Sequence, residues 1–200
     1  MDGPLKNHYE EELSKNFIMI NDDCLSEKDC KKIIRFFERS DKQKDGTVYD
    51  NEVRVDKDQK DTTDIGLKFS DNDWVSNIIL NVLKKSITEY CDKYPDIYSI
   101  LPFGALNEYN LQRYLPGGIF KRHYENFGQN GGGNRCLVWM IYLNDIDNGG
   151  KTRFHNQDIR VSPKRGRVVL WPPYWTHPHA GEKLISGKKY IVTGWCGWEE

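Results

Sequence analysis

The sequence predicts an α+β fold: a double-stranded β-helix, or jelly roll, with N-terminal helices packed on one sheet. Two observations point there. Helix-period apolar stripes occupy the first half of the 200 residues, whereas from residue 111 onward short strand-like runs alternate with turn signals. A content of 38% hydrophobic and 12% aromatic residues suits one globular domain with a sizeable core and argues against disorder. The expected layout is a single domain over residues 1–200. Residues 1–110 form a helical support region with a loop at 38–65, and residues 111–200 form the jelly-roll core.

Taken in order, Met1-Asp-Gly-Pro-Leu-Lys6 lacks an apolar signal-peptide core, and no run approaches the roughly 18 apolar residues of a membrane span. Ser26, with Asp29 in the capping-box position, predicts a helix through Lys31–Phe37. Residues 38–65 are dense in both charges and poor in apolar side chains, which predicts a long solvated loop and a candidate substrate lid. Asp73 starts a second helix, in which Val75, Ile78, Ile79, Val82, Leu83, Ile87 and Tyr90 recur at helical spacing as a core-facing stripe.

Strands are expected at 111–114, 119–126, 137–144, 167–171 and 189–195. The turn signals Pro116-Gly-Gly118, Gly131-Gly-Gly133, Asp147-Asn-Gly-Gly150 and Pro163-Lys-Arg-Gly166 separate them. The run Gly131–Gly133 lacks the Lys-Ser/Thr and helix start of a phosphate loop, so a hairpin turn is the expectation there.

A net charge of -1 gives no global reason to expect nucleic acid or an anionic membrane as partner. The five cysteines, at 24, 30, 91, 136 and 196, form no Cys-x-x-Cys pair. They predict reduced thiols rather than a disulfide frame or zinc site, and a soluble, cytoplasmic protein in a reducing compartment.

The chemistry centres on His123-Tyr124-Glu125. On a strand, side chains alternate faces, so His123 and Glu125 point the same way and can take adjacent positions on one metal. A carboxylate on the buried face of a jelly roll costs several kcal/mol unless it is paired, and a cation is the natural partner. Two imidazoles with one carboxylate leave three positions open on an octahedral ion, the arrangement of non-heme Fe(II) oxygenases. Downstream, His177 and His179 share a face, and on spacing alone either completes the set.

Several motifs in residues 112–196 occur together and in order. Tyr114 stands nine residues before His123 with Gly117-Gly118 between, followed by Tyr142-Leu143-Asn144 and by Gly149-Gly150-Lys-Thr152-Arg-Phe154. His179-Ala-Gly181 then precedes Lys189 by ten residues. This segment resembles the prolyl 4-hydroxylase-type family of 2-oxoglutarate and Fe(II)-dependent dioxygenases, in a compact form similar to phage-encoded members. The resemblance implies His123, Glu125 and His179 as metal-binding and catalytic residues, with His177 beside the set or facing substrate. It implies Lys189 and Tyr114 as partners of the distal carboxylate of 2-oxoglutarate, and Tyr142, Thr152 and Thr193 as further candidates for the cosubstrate pocket. Fe(II), 2-oxoglutarate and O2 are the implied cofactors, with ascorbate as an accessory candidate.

One departure is Glu125, where the family usually carries aspartate. It keeps the anionic ligand on a longer arm and argues against halogenating relatives, which lack the carboxylate. Lys189, Ile191, Thr193 and Trp195 share a strand face toward the pocket, while Lys188 points outward. Trp195 is expected either to flank the substrate or to fill core.

The implied reaction is hydroxylation of an unactivated C–H bond, with release of succinate and CO2. A peptidyl residue, proline first, is the expected substrate and a free amino acid the alternative; neither nucleic acid nor membrane is expected. Competing readings are an iron-dependent nucleic-acid demethylase, a cupin-type metal enzyme without 2-oxoglutarate, and an inactive binding module of the same fold. Demethylases bind the cosubstrate through arginines after the distal histidine, and this chain has none after Arg167.

Overall fold

The computed structural model describes residues 16–50, 52–128 and 132–198. The N-terminal hexapeptide and Gly131 of the glycine run lie outside these residues. Two helices form where expected. Helix α1 (Glu27–Arg39) starts at Ser26, whose side chain accepts from the Asp29 N–H, and buries Cys30, Ile33 and Phe37. Helix α2 (Trp74–Lys93) is capped by Asp73, which accepts from the Ser76 N–H, and buries Val75, Ile79, Leu83 and Tyr90. No helix among the described residues is long and apolar enough to cross a membrane.

Thirteen strands are described: β1 (Met19–Asn21), β2 (Lys44–Asp45), β3 (Thr47–Asp50), β4 (Glu52–Val55), β5 (Thr63–Lys68), β6 (Gly104–Tyr114), β7 (Phe120–His123), β8 (Arg135–Tyr142), β9 (Thr152–Phe154), β10 (Ile159–Val161), β11 (Val168–Trp171), β12 (His179–Gly181) and β13 (Lys189–Gly197). A seven-stranded sheet has the order β1-β11-β8-β13-β6-β5-β2, and a four-stranded sheet the order β10-β9-β12-β7. Strands β3 and β4 pair with each other as a separate hairpin.

The jelly roll is as expected, but the first 110 residues supply more than helical support. Strands β1, β2 and β5 extend the large sheet, and β6 crosses the expected boundary at 110. The expected 38–65 loop is corrected to strands and a hairpin, closed by four cross-strand pairs from Thr47–Val55 to Asp50–Glu52. All four residues of β4 are exposed. Its Glu52-Val53-Arg54-Val55 run does alternate, but over only four residues inside a highly charged segment, and none of the four is buried.

Strand β8 explains the two-layer core. Its Leu137, Trp139 and Ile141 join the cluster shared with α1 and α2, while Val138, Met140 and Tyr142 join the cluster between the sheets. A strand covered on both faces must be apolar throughout, which accounts for the run Cys136–Leu143. Opposite Trp139, β13 carries Gly194, where a Cβ would stand 2.4 Å from the indole ring. All five cysteines are free thiols.

Candidate active site

Strands β7 and β12 run antiparallel with His123 directly across from His179, and their rings lie 4.3 Å apart between centroids. Glu125 arrives by a different route from the one its spacing suggests. The strand ends at His123, and the Glu125 N–H donates to the Pro173 carbonyl at 2.8 Å, so a turn rather than strand alternation brings its carboxylate to the histidines. Glu125 Oε1 lies 3.1 Å from His123 Nε2 and 3.5 Å from His179 Nε2. One ligand atom from each of the three residues fits within 4.8 Å of the others.

The remaining ring nitrogens are committed elsewhere. His123 Nδ1 donates to the Lys121 carbonyl at 2.7 Å, and His179 Nδ1 to the His177 carbonyl at 3.0 Å. These bonds orient both rings, turning each Nε2 toward the carboxylate. Burial pushes the His179 imidazole down from its ordinary pKa, with the neighbouring His123 adding to the effect. Burial works to raise the Glu125 carboxyl, but hydrogen bonds and charge from His123 and His179 outweigh it and hold the group well below the usual carboxylate range. Two imidazole nitrogens and one carboxylate oxygen converging on one point suit a divalent cation, which would stand where the imidazole–carboxylate hydrogen bonds now lie. Ferrous iron fits this donor set.

The expected cosubstrate residues lie in the adjoining cleft of about 910 Å³, whose walls include Tyr114, Thr152, Lys189 and Thr193 along with His123, Glu125 and His179. Lys189 is only 1% exposed and pairs in register with Tyr114, its ammonium 3.7 Å from the centre of that ring. It donates to the Gly150 carbonyl at 3.0 Å and has no carboxylate partner among the described residues. Burial drives its pKa from 10.5 down to about 7. A buried ammonium without a counter-ion is a receptor for an entering carboxylate, so the pocket fits 2-oxoglutarate.

Tyr142 stands one layer back, its hydroxyl 2.6 Å from Thr152 Oγ1. The Thr193 hydroxyl donates to the Trp139 carbonyl at 3.0 Å. The His177 ring bonds the Asn16 carbonyl at 2.8 Å and the Thr176 hydroxyl at 2.9 Å, so its backbone carbonyl is what reaches the site. Lys188 points outward, 3.7 Å from Glu38.

Sequence reasoning missed three contributors to the cleft. Arg135 stacks its guanidinium 3.7 Å from the Trp195 ring and donates to the Glu125 carbonyl at 2.8 Å. The only signal for it was a charge opening an otherwise buried strand. The buried pair Lys60–Asp64, at 2.6 Å, connects through Gln112 to the Tyr114 hydroxyl. Finally, the β3–β4 hairpin places Tyr49 and Val53, both exposed, on the cleft wall.

Residues 109–197 match the 2OG-Fe(II) oxygenase superfamily. A provisionally named prolyl 4-hydroxylase of Acanthamoeba polyphaga mimivirus is 26% identical over 200 residues, covering 91% of this chain and 74% of that protein. The chain spans only 21% of the length of the human prolyl 4-hydroxylase subunit alpha-1. Among solved structures, the prolyl hydroxylase of Trichoplax adhaerens, in complex with a hypoxia inducible factor peptide fragment, has a TM-score of 0.73 at 16% identity, covering 98% of this chain and 94% of that one. The viral collagen prolyl hydroxylase of Paramecium Bursaria Chlorella virus-1, in a 2OG complex, has a TM-score of 0.64 at 18% identity, covering 94% and 99%. At such identities these structures speak for the shared fold. Over residues 109–197 the chain is thus similar to the 2OG-Fe(II) oxygenase superfamily, and over most of its length to a viral protein named as a prolyl 4-hydroxylase.

Proposed function

We propose that this chain hydroxylates an unactivated C–H bond of a peptidyl residue, proline first, using Fe(II), 2-oxoglutarate and O2. The observation that carries the reading is the convergence of His123 Nε2, Glu125 Oε1 and His179 Nε2 beside a buried ammonium lacking a counter-ion. Bound there, ferrous iron supplies the chemistry that couples decarboxylation of the keto acid to hydroxylation of the substrate, releasing succinate and CO2.

The chain's own groups do the rest. His123, Glu125 and His179 hold the metal on one side and leave the cleft side open. Lys189 and the Tyr114 hydroxyl bind the distal carboxylate, and Thr152 and Thr193 line the space between. Tyr142 braces Thr152 through its 2.6 Å hydrogen bond. Tyr49 and Val53 of the hairpin line the cleft together with Tyr124 and Phe127 and offer it apolar surface, which suits an extended peptide better than a free amino acid. The similarity to prolyl 4-hydroxylases and the peptide bound to the Trichoplax protein favour the same substrate class. Ascorbate serves as an accessory reductant, and the five free thiols suit a reducing cytoplasm.

The test incubates the protein with Fe(II), 2-oxoglutarate and ascorbate against a panel of proline-containing peptides and free amino acids. Succinate release and a mass gain of one oxygen atom are followed together. Turnover is expected with peptides, and loss of it in His123→Ala, Glu125→Ala and His179→Ala. Turnover that needs no 2-oxoglutarate would support a cupin-type enzyme instead, and full activity in any of the three variants would remove that residue from the metal set.

A further inference from the structure

The departure at Glu125 has a structural counterpart in the side chains around it. Two imidazoles, one carboxylate oxygen, a two-point chelate and O2 fill an octahedron, so a glutamate binding through both oxygens takes a position the cosubstrate or O2 needs. Carboxylates bind metals in either mode, and the longer glutamate arm has an extra torsion with which to swing its second oxygen inward. Here that second oxygen is held back. Glu125 Oε2 accepts from Trp195 Nε1 at 3.1 Å and lies 3.6 Å from Arg135 Nη1. Arg135 is itself fixed by its bond to the Glu125 carbonyl and by stacking on the Trp195 indole. Trp195 sits beside the irregularity in β13 between Gly194 and Cys196.

We propose that Trp195 and Arg135 are positioning residues that tether the outer oxygen of Glu125, so that this glutamate gives the metal one oxygen and leaves the cosubstrate its two positions. The inference rests on the functional reading above and deepens it. It assigns Trp195 a purpose other than substrate flank or core filling, and it explains how a glutamate serves where relatives carry aspartate.

Trp195→Phe removes the indole N–H and keeps an aromatic face for Arg135. Two affinities are measured, with thermal melting as the check on folding: Mn(II) for the metal-free protein, by the magnetic resonance signal of the free ion, and 2-oxoglutarate for the Mn(II)-loaded protein, by calorimetry. The expected result is a split. Mn(II) affinity stays within about threefold of wild type, because the freed carboxylate still binds metal, while 2-oxoglutarate affinity falls about tenfold, the scale of one hydrogen bond to a charged group. Arg135→Gln loosens the same oxygen and is read in the same way should Trp195→Phe not fold. Equal losses of both affinities indicate general loosening and overturn the inference, as does an unchanged 2-oxoglutarate affinity; in either case wild-type Mn(II) binding keeps the functional reading intact. Wild-type protein that binds no Mn(II) overturns both.

Discussion

Replacing Lys189 with methionine keeps most of the side-chain volume and removes only the charge. A fall in pKa from 10.5 to about 7 corresponds to about 5 kcal/mol at 1.36 kcal/mol per pH unit. The sign follows from proton counting. Between pH 7 and 10.5 the unfolded chain holds a proton that folded Lys189 has released, so stability rises with pH through this window; below about pH 7 both states are protonated and the penalty is at its full size. Losing the hydrogen bond to the Gly150 carbonyl returns about 1 kcal/mol. Metal-free Lys189→Met is therefore expected to be about 3–4 kcal/mol more stable than wild type at pH 7, with the gap nearly closed by pH 9.5. Urea denaturation at the two pH values measures it. The Mn(II)-loaded variant should at the same time lose most of its affinity for 2-oxoglutarate. In wild type, a bound carboxylate restores the Lys189 charge, so cosubstrate affinity should fall by up to about tenfold per pH unit above 7. A variant no more stable than wild type at pH 7, with the same pH slope, would refute the idea that an unpaired ammonium is held in the cleft for a ligand.

Other outcomes follow from the same geometry. Asp64→Ala leaves Lys60, 6% exposed, as a buried charge without its carboxylate, and should cost about 3–5 kcal/mol by urea denaturation. Gly149→Ala places a Cβ 2.3 Å from the Lys183 carbonyl at a φ of +78°, and a loss of at least about 1–3 kcal/mol is expected from the same measurement. Tyr114→Phe should weaken 2-oxoglutarate binding by about tenfold while leaving Mn(II) affinity unchanged, since the hydroxyl bonds only Gln112 among the described residues.

The sequence disclosed those parts whose physics is local or repeated. Ser26 and Asp73 marked helix starts because a capping side chain sits within three residues of the amide it bonds. The run through β8 marked a doubly covered strand. The histidines and Lys189 were legible because motif spacing ties them together even though they sit on separate strands. The β3–β4 hairpin was hidden because its alternating run Glu52-Val-Arg-Val55 is only four residues long within a densely charged segment, and β1, β9, β10 and β12 because three residues are too few to display a period of two. Glu125 lies beside the histidines, but not through the strand alternation its spacing suggested, since a bond to Pro173 beyond the end of β7 aims it. Arg135 and the Lys60–Asp64 pair depend on contacts 10 and 4 residues apart that no motif announces.

The most direct measurement is a crystal structure of the protein soaked with Mn(II), read by anomalous scattering at the manganese edge. A single peak about 2.0–2.2 Å from His123 Nε2, Glu125 Oε1 and His179 Nε2 is the expected result. A peak bound by other residues, or full-occupancy metal that touches only one of the three, would contradict the account.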